Sequence, residues 1–298
     1  MLQSNRLILL ILICASLIGV YLLVQPTQPE TNSPTILRVG VGPDQSSTEL
    51  RSRYSPLIDF IATESHREVE LVIASSYGEL VELFASGEID LARFGAFGFI
   101  TAHQLSDAEP LVMRDIDTRF TSWFLVKKNS SAEKISDLAG LRFSFGNRRS
   151  TSGHLMPRYF LDKIHQITPE KYFSSVRYSG PHDQTIYDLI NNKVDLVAVN
   201  PIIVRKMIED GRIPKNNLRL IWETPPYTDY VWAVQNTLNE TLKTQLRDVF
   251  LSLDPVDGEH ETILDNLSSS GFLPAGIDQF KLLMKISSTM NLVEDKTQ

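Results

Sequence analysis

Apolar runs with two different periods take turns along this chain. "ILRVGVG" (36–42) is a short continuous apolar run that stops at Gly42, and it reads as a strand. Leu50, Tyr54, Leu57, Ile58 and Ile61 then recur at helical spacing, which predicts a helix over about 48–64. "EVELVIAS" (68–75) reads as a strand, "YGELVELFASG" (77–87) as a helix ended by glycine, and "EIDLARFG" (88–95) as a strand. Strand and helix alternate, as in a parallel sheet.

The second half repeats the order. "LRFSFG" (141–146) reads as a strand ending in Gly146, followed by a helix over about 153–165. "SSVRYS" (174–179) is a strand, "DQTIYDLINN" (183–192) a helix, and "KVDLVAVN" (193–200) a strand. "GEIDLARFG" matches "NKVDLVAVN", and Gly42 precedes Asp90 by almost the spacing that separates Gly146 from Asp195. The duplication predicts two α/β lobes, each a parallel-rich sheet flanked by helices. Ligands bind outside the carboxyl ends of such strands, so two facing lobes would make a cleft. Lobe 1 is expected over 36–125 plus 226–298 and lobe 2 over 126–225. The extended "SWFLVKK" and "IWETPPYTDY" would carry the two crossings, near 123–128 and 222–230. Leu242, Leu246 and Phe250 mark helices that return to lobe 1.

The N-terminus has another character. Residues 7–24, "LILLILICASLIGVYLLV", are uncharged and follow Arg6, and the polar "QPTQPETNSPT" comes next as a linker, 25–35. The run is near the minimum for a membrane-spanning helix, and no A-x-A cleavage pattern precedes Gln25. It is expected to be an uncleaved anchor, 1–24, with a cleaved signal as the alternative. Either way the rest is exported. Cys14, the only cysteine, lies inside the run, so the exported part holds no disulfide.

Charge narrows the function. The net charge is −7, and Arg6 and Glu30 cancel before residue 34, so the folded part carries all of it. A nucleic-acid binder would need a basic face. An anion site here must be built locally, against the overall field.

"GNRRSTSGHLMP" (146–157) has the composition of such a site. It follows a strand and opens a helix. Pro157 is tolerated only near a first turn, so the helix starts close to residue 152 or 153. The first-turn N–H groups of Ser152, Gly153 and His154 and the hydroxyls of Ser150, Thr151 and Ser152 then form one cluster of donors, reinforced by the helix dipole. The cluster suits a tetrahedral oxyanion. The plainer alternative is a helix cap, for which one hydroxyl is enough. If the cluster holds an anion, removing the Thr151 hydroxyl should weaken binding and leave ligand-free stability nearly unchanged. In "YSGPHDQTIYDL", Asp183 is the expected N-cap of a second helix, and the His182 ring could donate into the same cleft.

Other chemistries fit poorly. No lysine follows the glycine turn as a nucleotide P-loop requires. A G-x-S-x-G elbow is missing. Ser150 and His154 could form a nucleophile–base pair, though no third group is indicated. His66, His103, His154, His165, His182 and His260 lack metal-ligand spacing. No catalytic residue, metal or cofactor is therefore assigned.

Beyond these local readings, "YSPLI" (54–58), "SGEIDLARFGAFGFITAH" (86–103), "ISDLAGLRFSFGNRRSTSGHLMP" (135–157), "YSGPHDQTI" (178–186) and "VDLVAVN" (194–200) resemble the phosphate, phosphite and phosphonate-binding proteins of bacterial ABC importers. The resemblance implies a two-lobed periplasmic binding protein, type II-like, with two interlobe crossings and no enzymatic activity. It implies that Ser150, Thr151, Ser152 and His182 touch the ligand and that Tyr54 reaches it from lobe 1. Asp229 falls near a family aspartate that accepts a hydrogen bond from a protonated ligand oxygen or amine. Two further positions expected at the ligand, Phe99 and Asn200, depart from the pattern. Phe99 stands where the family has a second tyrosine, and Asn200 where it often has an acid, which disfavours an aminoalkyl ligand.

The expected function is capture of a small phosphorus oxyanion in the periplasm for an ABC permease. The alternative is a membrane-tethered sensing subunit for a signalling partner, which the expected anchor would suit. A hydrolase using Ser150 or Ser152 is the third reading.

Overall fold

The computed structural model describes residues 35–290, and the expected anchor and linker lie outside them, apart from Thr35. The chain begins with β1 (Ile36–Val41), α1 (Ser47–Ser65), β2 (Glu68–Ile73), α2 (Tyr77–Ala85), β3 (Leu91–Phe94), α3 (Ala96–Ser106) and β4 (Glu109–Arg114). It then crosses to the second lobe: β5 (Trp123–Lys127), β6 (Arg142–Phe145), α4 (Met156–His165), β7 (Ser175–Tyr178), α5 (His182–Ile190), β8 (Leu196–Val199), α6 (Pro201–Glu209) and β9 (Leu218–Glu223). It returns through β10 (Val231–Val234), α7 (Glu240–Leu251), α8 (Gly258–Leu267), β11 (Phe272–Pro274) and α9 (Lys281–Thr289). No helix among the described residues is long and apolar enough to cross a membrane.

The duplication is visible in the strand order. Lobe 1 is a six-stranded sheet, β11-β4-β10-β3-β1-β2, and lobe 2 a five-stranded sheet, β7-β6-β8-β5-β9. In each, the first strand lies between the second and third, in parallel. Next to the third strand lies one that enters antiparallel from the other lobe: β10 in lobe 1 and β5 in lobe 2. The sheets are therefore mixed rather than parallel-rich. A strand arriving across the gap runs opposite to strands that return through helices.

The repeated Asp-Leu pairs have a structural role. The Asp90 carboxylate accepts the Arg38 N–H at 2.8 Å, and Asp195 accepts the Arg142 N–H at 3.0 Å. Each closes the start of its lobe's first strand on the third. The helix face read from spacing is the face that packs: Leu50, Tyr54, Leu57, Ile58 and Ile61 are all buried in α1.

The expected boundary at 125/126 falls inside β5, all of which pairs in the second sheet. The apolar "SWFLVKK" is extended because it is a core strand. The first crossing comes earlier, between β4 and β5, and the second runs from Thr224 to Tyr230. They pair with each other. Phe120 and Tyr227 exchange both backbone hydrogen bonds at 2.8 Å, and Asp229 N–H donates to the Asp117 carbonyl at 3.0 Å.

The first crossing is held at its root by a buried ion pair. Arg114 grips Asp117 with two hydrogen bonds of 2.7 Å and donates to the Leu267 carbonyl at the end of α8. Arg114→Met would leave the Asp117 charge buried and uncompensated. We expect a loss of about 3–5 kcal/mol, read by chemical denaturation, with most of it recovered in Arg114→Met/Asp117→Leu.

Candidate functional site

β6 delivers the chain to the cleft and stops at Phe145. A single π-helical turn, Thr151–Leu155, follows and leads into α4, with Pro157 in the first α-helical turn, where its missing N–H is tolerated. Ser150 is the cap: its Oγ accepts the Gly153 N–H at 2.9 Å. Gly153 is required by space. A Cβ there would lie 2.9 Å from Ser150 Oγ and 2.9 Å from the His182 ring.

His182 opens α5 and is fully buried. Its Nδ1 accepts the Asn200 N–H at 3.2 Å, so the proton of the neutral ring sits on Nε2. Nε2 lies 3.4 Å from Ser150 Oγ. Burial lowers the His182 pKa to about 4, so the ring is neutral at physiological pH and is a fixed donor. Ser150 Oγ already receives the Gly153 N–H, and its own proton is left to give.

Lobe 1 presents the N-terminus of α3. Gly95 provides no side-chain cap there. Instead Ala96 N–H donates to Asp229 Oδ1 at 3.2 Å, and Phe97 N–H donates to Thr151 Oγ1 of lobe 2 at 3.0 Å. A Cβ on Gly95 would lie 3.0 Å from Thr151 Oγ1, so glycine lets the lobes meet. The Asp229 pKa is raised to about 7, chiefly by burial and then by the charge of Asp117. The hydroxyl of Thr151 and the charge of Arg93 oppose the rise.

More polar groups surround this contact. Arg93, at the end of β3, is 93% buried, donates to Asp44 at 3.2 Å and lies 3.8 Å over the Tyr230 ring. Asn200 Nδ2 donates across the cleft to the Tyr230 hydroxyl at 3.2 Å, His182 N–H to the Asp44 carbonyl at 3.0 Å, and Ser46 N–H to Asp183 at 3.2 Å. Several buried polar atoms here have no partner: Ser152 Oγ, Asp229 Oδ2, Asp44 Oδ1, the Tyr77 hydroxyl and both amide atoms of Gln45. Buried polar groups are nearly always paired, so such a concentration makes this cleft the candidate site.

The structure brings Ser150, Thr151, Ser152, His182, Asn200 and Asp229 together. Tyr54 approaches through Arg93, whose guanidinium is 5.8 Å from the Tyr54 ring centre. Phe99 packs its ring against Phe280 and His103 in the lobe 1 core. Four readings change. Asn200 is a helix cap: its Oδ1 accepts the Ile202 and Ile203 N–H groups, leaving only Nδ2 for the cleft. Asp183 lies inside α5 and reaches the other lobe instead of capping its helix. His154 turns away from Ser150. Its ring is held by the Arg148 carbonyl at 2.7 Å and by Arg158 at 3.0 Å, so a Ser150–His154 pair does not form. The Thr151 hydroxyl is not wet, because lobe 1 occupies it.

Sequence reading missed Asp44, Gln45, Tyr77, Arg93 and Tyr230. The duplication held the signal for two of them. "GPDQS" follows β1 as "GNRRS" follows β6, so Asp44 and Gln45 stand at the matching strand end.

Comparisons with known proteins point to one family. The family described as "ABC transporter, phosphonate, periplasmic substrate-binding protein" matches residues 39–280. The chain is 31% identical over 278 residues to the probable ABC transporter phosphite binding protein PhnD1 of Prochlorococcus marinus, covering 90% of this chain and 94% of that one. It is 26% identical over 229 residues to the phosphate-import protein PhnD of Mycolicibacterium smegmatis, covering 73% and 71%. The solved structure of the Prochlorococcus marinus PhnD1 in complex with methylphosphonate superposes with a TM-score of 0.81, covering 87% of this chain and 100% of that one, at 31% identity. A cleft lined by a serine-rich helix start, in a chain that matches over nearly all its described length, leads to one conclusion: the protein belongs to the phosphonate family of periplasmic substrate-binding proteins of ABC transporters.

Proposed function

We propose that the chain captures a small phosphorus oxyanion between its lobes, with Ser150, Ser152, the N–H groups of the π turn and His182 Nε2–H as donors from lobe 2. The observation that carries this reading is a fixed histidine donor set against a serine turn whose Ser152 hydroxyl is buried and unpartnered. Relatives with phosphite, phosphate and methylphosphonate in their names support the ligand class. Thr151 and Asp229 hold the α3 N–H groups in the ligand-free protein, and oxygens of the anion would take over these donors. Asp229, near neutrality in its pKa, faces a protonated ligand oxygen. Tyr54 acts through Arg93, Asn200 through Tyr230 and the His182 tautomer, and Phe99 by packing behind α3. Lobe 1 and lobe 2 are the bodies that close, hinged at the paired crossings.

The anchor belongs to the same proposal. Residues 7–24 would hold the protein on the outer face of the inner membrane, next to the permease it serves.

Three outcomes test the reading. Ser152→Ala should weaken phosphorus-oxyanion binding roughly ten- to a hundredfold in calorimetric titration. It should not lower the ligand-free melting temperature, because the lost hydroxyl has no partner. Thr151→Val should lower that melting temperature, since Phe97 N–H loses its acceptor. An unchanged affinity in Ser152→Ala would reduce the turn to a helix cap.

Asp229 gives a pH signature. Its folded pKa lies above its unfolded value, so its stability contribution is fully present below about pH 4 and is lost as pH rises through about 7. Asp229→Asn should therefore gain stability over the unaltered protein progressively between those limits, by up to roughly 4 kcal/mol, and level off above. Urea titrations at several pH values read the difference, and a gain independent of pH would refute the burial of a titrating carboxyl.

For the anchor, full-length protein should remain with inner membranes after a high-salt wash. A mature N-terminus at or after Gln25 would show cleavage instead.

A further inference from the structure

A second cavity lies against the first crossing, and no residue of the serine turn lines it. Its volume of about 540 Å³ is that of a small-molecule site. Three bodies wall it. Lobe 1 contributes Ile116, which packs against its core, and Ser268 at the end of α8. The first crossing contributes Arg119 and Phe120, and lobe 2 contributes Ile202 and Arg205 of α6.

The charged groups that line the cavity are not equally free. Asp115 accepts the hydroxyls of Ser269 and Ser270, and Glu223 accepts the Thr121 hydroxyl at 2.6 Å. Lys206 pairs with Asp210 at 2.8 Å. Arg205 lies 4.6 Å over the Trp123 ring and, like the exposed Arg119, has no acidic partner among the described residues. Glu209, one helical turn beyond Arg205, is the lining acid left without a partner. Two unpaired guanidiniums from different bodies thus border one space, against one free carboxylate. The net charge of −7 opposes anion capture in general, so this is a local exception. A guanidinium presents a planar fork of donors that matches a carboxylate. Ile116, Phe120 and Ile202 offer apolar surface for a short carbon chain between the two ends.

We propose that this cavity binds a small dicarboxylate, one carboxylate on Arg119 and the other on Arg205, and that its occupation favours the arrangement in which the lobes touch. Two phosphate groups would bring about four negative charges to two cations and Glu209. Two carboxylates bring only two. The coupling follows from where the walls lie. They belong to both lobes and to a crossing, so the cavity changes shape as the lobes rotate. In this structure it coexists with the cross-lobe bonds of Thr151 to Phe97 and Asn200 to Tyr230. A ligand that fits this shape stabilises that arrangement over others. The path to the cleft is short: Pro201 of the lining follows Asn200, and Phe120 meets the Tyr230 ring edge-on at 5.6 Å. The site is independent of the oxyanion reading above, and only the coupling rests on it.

The test is calorimetric titration of the purified protein with malonate, succinate, glutarate and adipate, first alone and then in saturating phosphate. We expect saturable one-to-one binding of at least one member under both conditions. Arg119→Gln and Arg205→Gln should each weaken it about tenfold or more and leave the affinity for phosphate alone unchanged. Saturating dicarboxylate should tighten phosphate binding about fivefold or more. Failure of every member to bind would overturn the site. So would binding that phosphate abolishes, which belongs to the cleft, or binding that both variants retain. A phosphate affinity unmoved by bound dicarboxylate would overturn the coupling. If phosphate itself does not bind, the oxyanion reading falls, and titration of the dicarboxylates alone still decides the cavity.

Discussion

The contact between two backbone turns, one from each lobe, is the constraint on which the site depends. The Ser150–Leu155 turn of lobe 2 meets the first turn of α3 in lobe 1, with Thr151 Oγ1 taking the Phe97 N–H at 3.0 Å. Two glycines permit it. Gly153 leaves room for the His182 ring, and Gly95 leaves room for Thr151. A methyl group at either place would push apart the groups that converge there. Backbone N–H groups of two helix starts then face one small volume, and their partial charges add there in a protein whose net charge is negative.

The acidic groups in the cleft follow from that constraint. A helix start buried between lobes needs acceptors when no anion is present. Asp229 and Thr151 provide them, one from a crossing segment and one from the opposite lobe. The orphaned atoms, Ser152 Oγ and Asp229 Oδ2 among them, are what remains unsatisfied in this arrangement.

The two buried histidines illustrate how position in the fold sets chemistry. His154 and His182 both have pKa values lowered to about 4 by burial. His182 is pinned through Nδ1 to the Asn200 N–H and points Nε2 at the serine turn. His154 is pinned through Nδ1 to Arg148 and gives Nε2 to Arg158, as part of lobe 2's packing. Residue type and burial are the same, and only the partners differ.

What the sequence determined by itself was everything set by short-range spacing. The duplicated strand–helix order, the buried face of α1, the helix start at Ser150 and the donors of the serine turn all follow from periodicity and turn chemistry within a few residues. Tertiary structure decided what depends on residues distant in the chain. Arg93 reads as one polar residue in an apolar strand until Asp44 and Tyr230 close around it. Asn200 and Thr151 read as free ligand contacts until their caps and cross-lobe partners occupy them. The antiparallel strand beside the third strand of each sheet, too, comes from the other lobe. Hydrogen-bonding capacity is local to a residue, but whether it is already spent depends on neighbours that only folding brings within 3 Å.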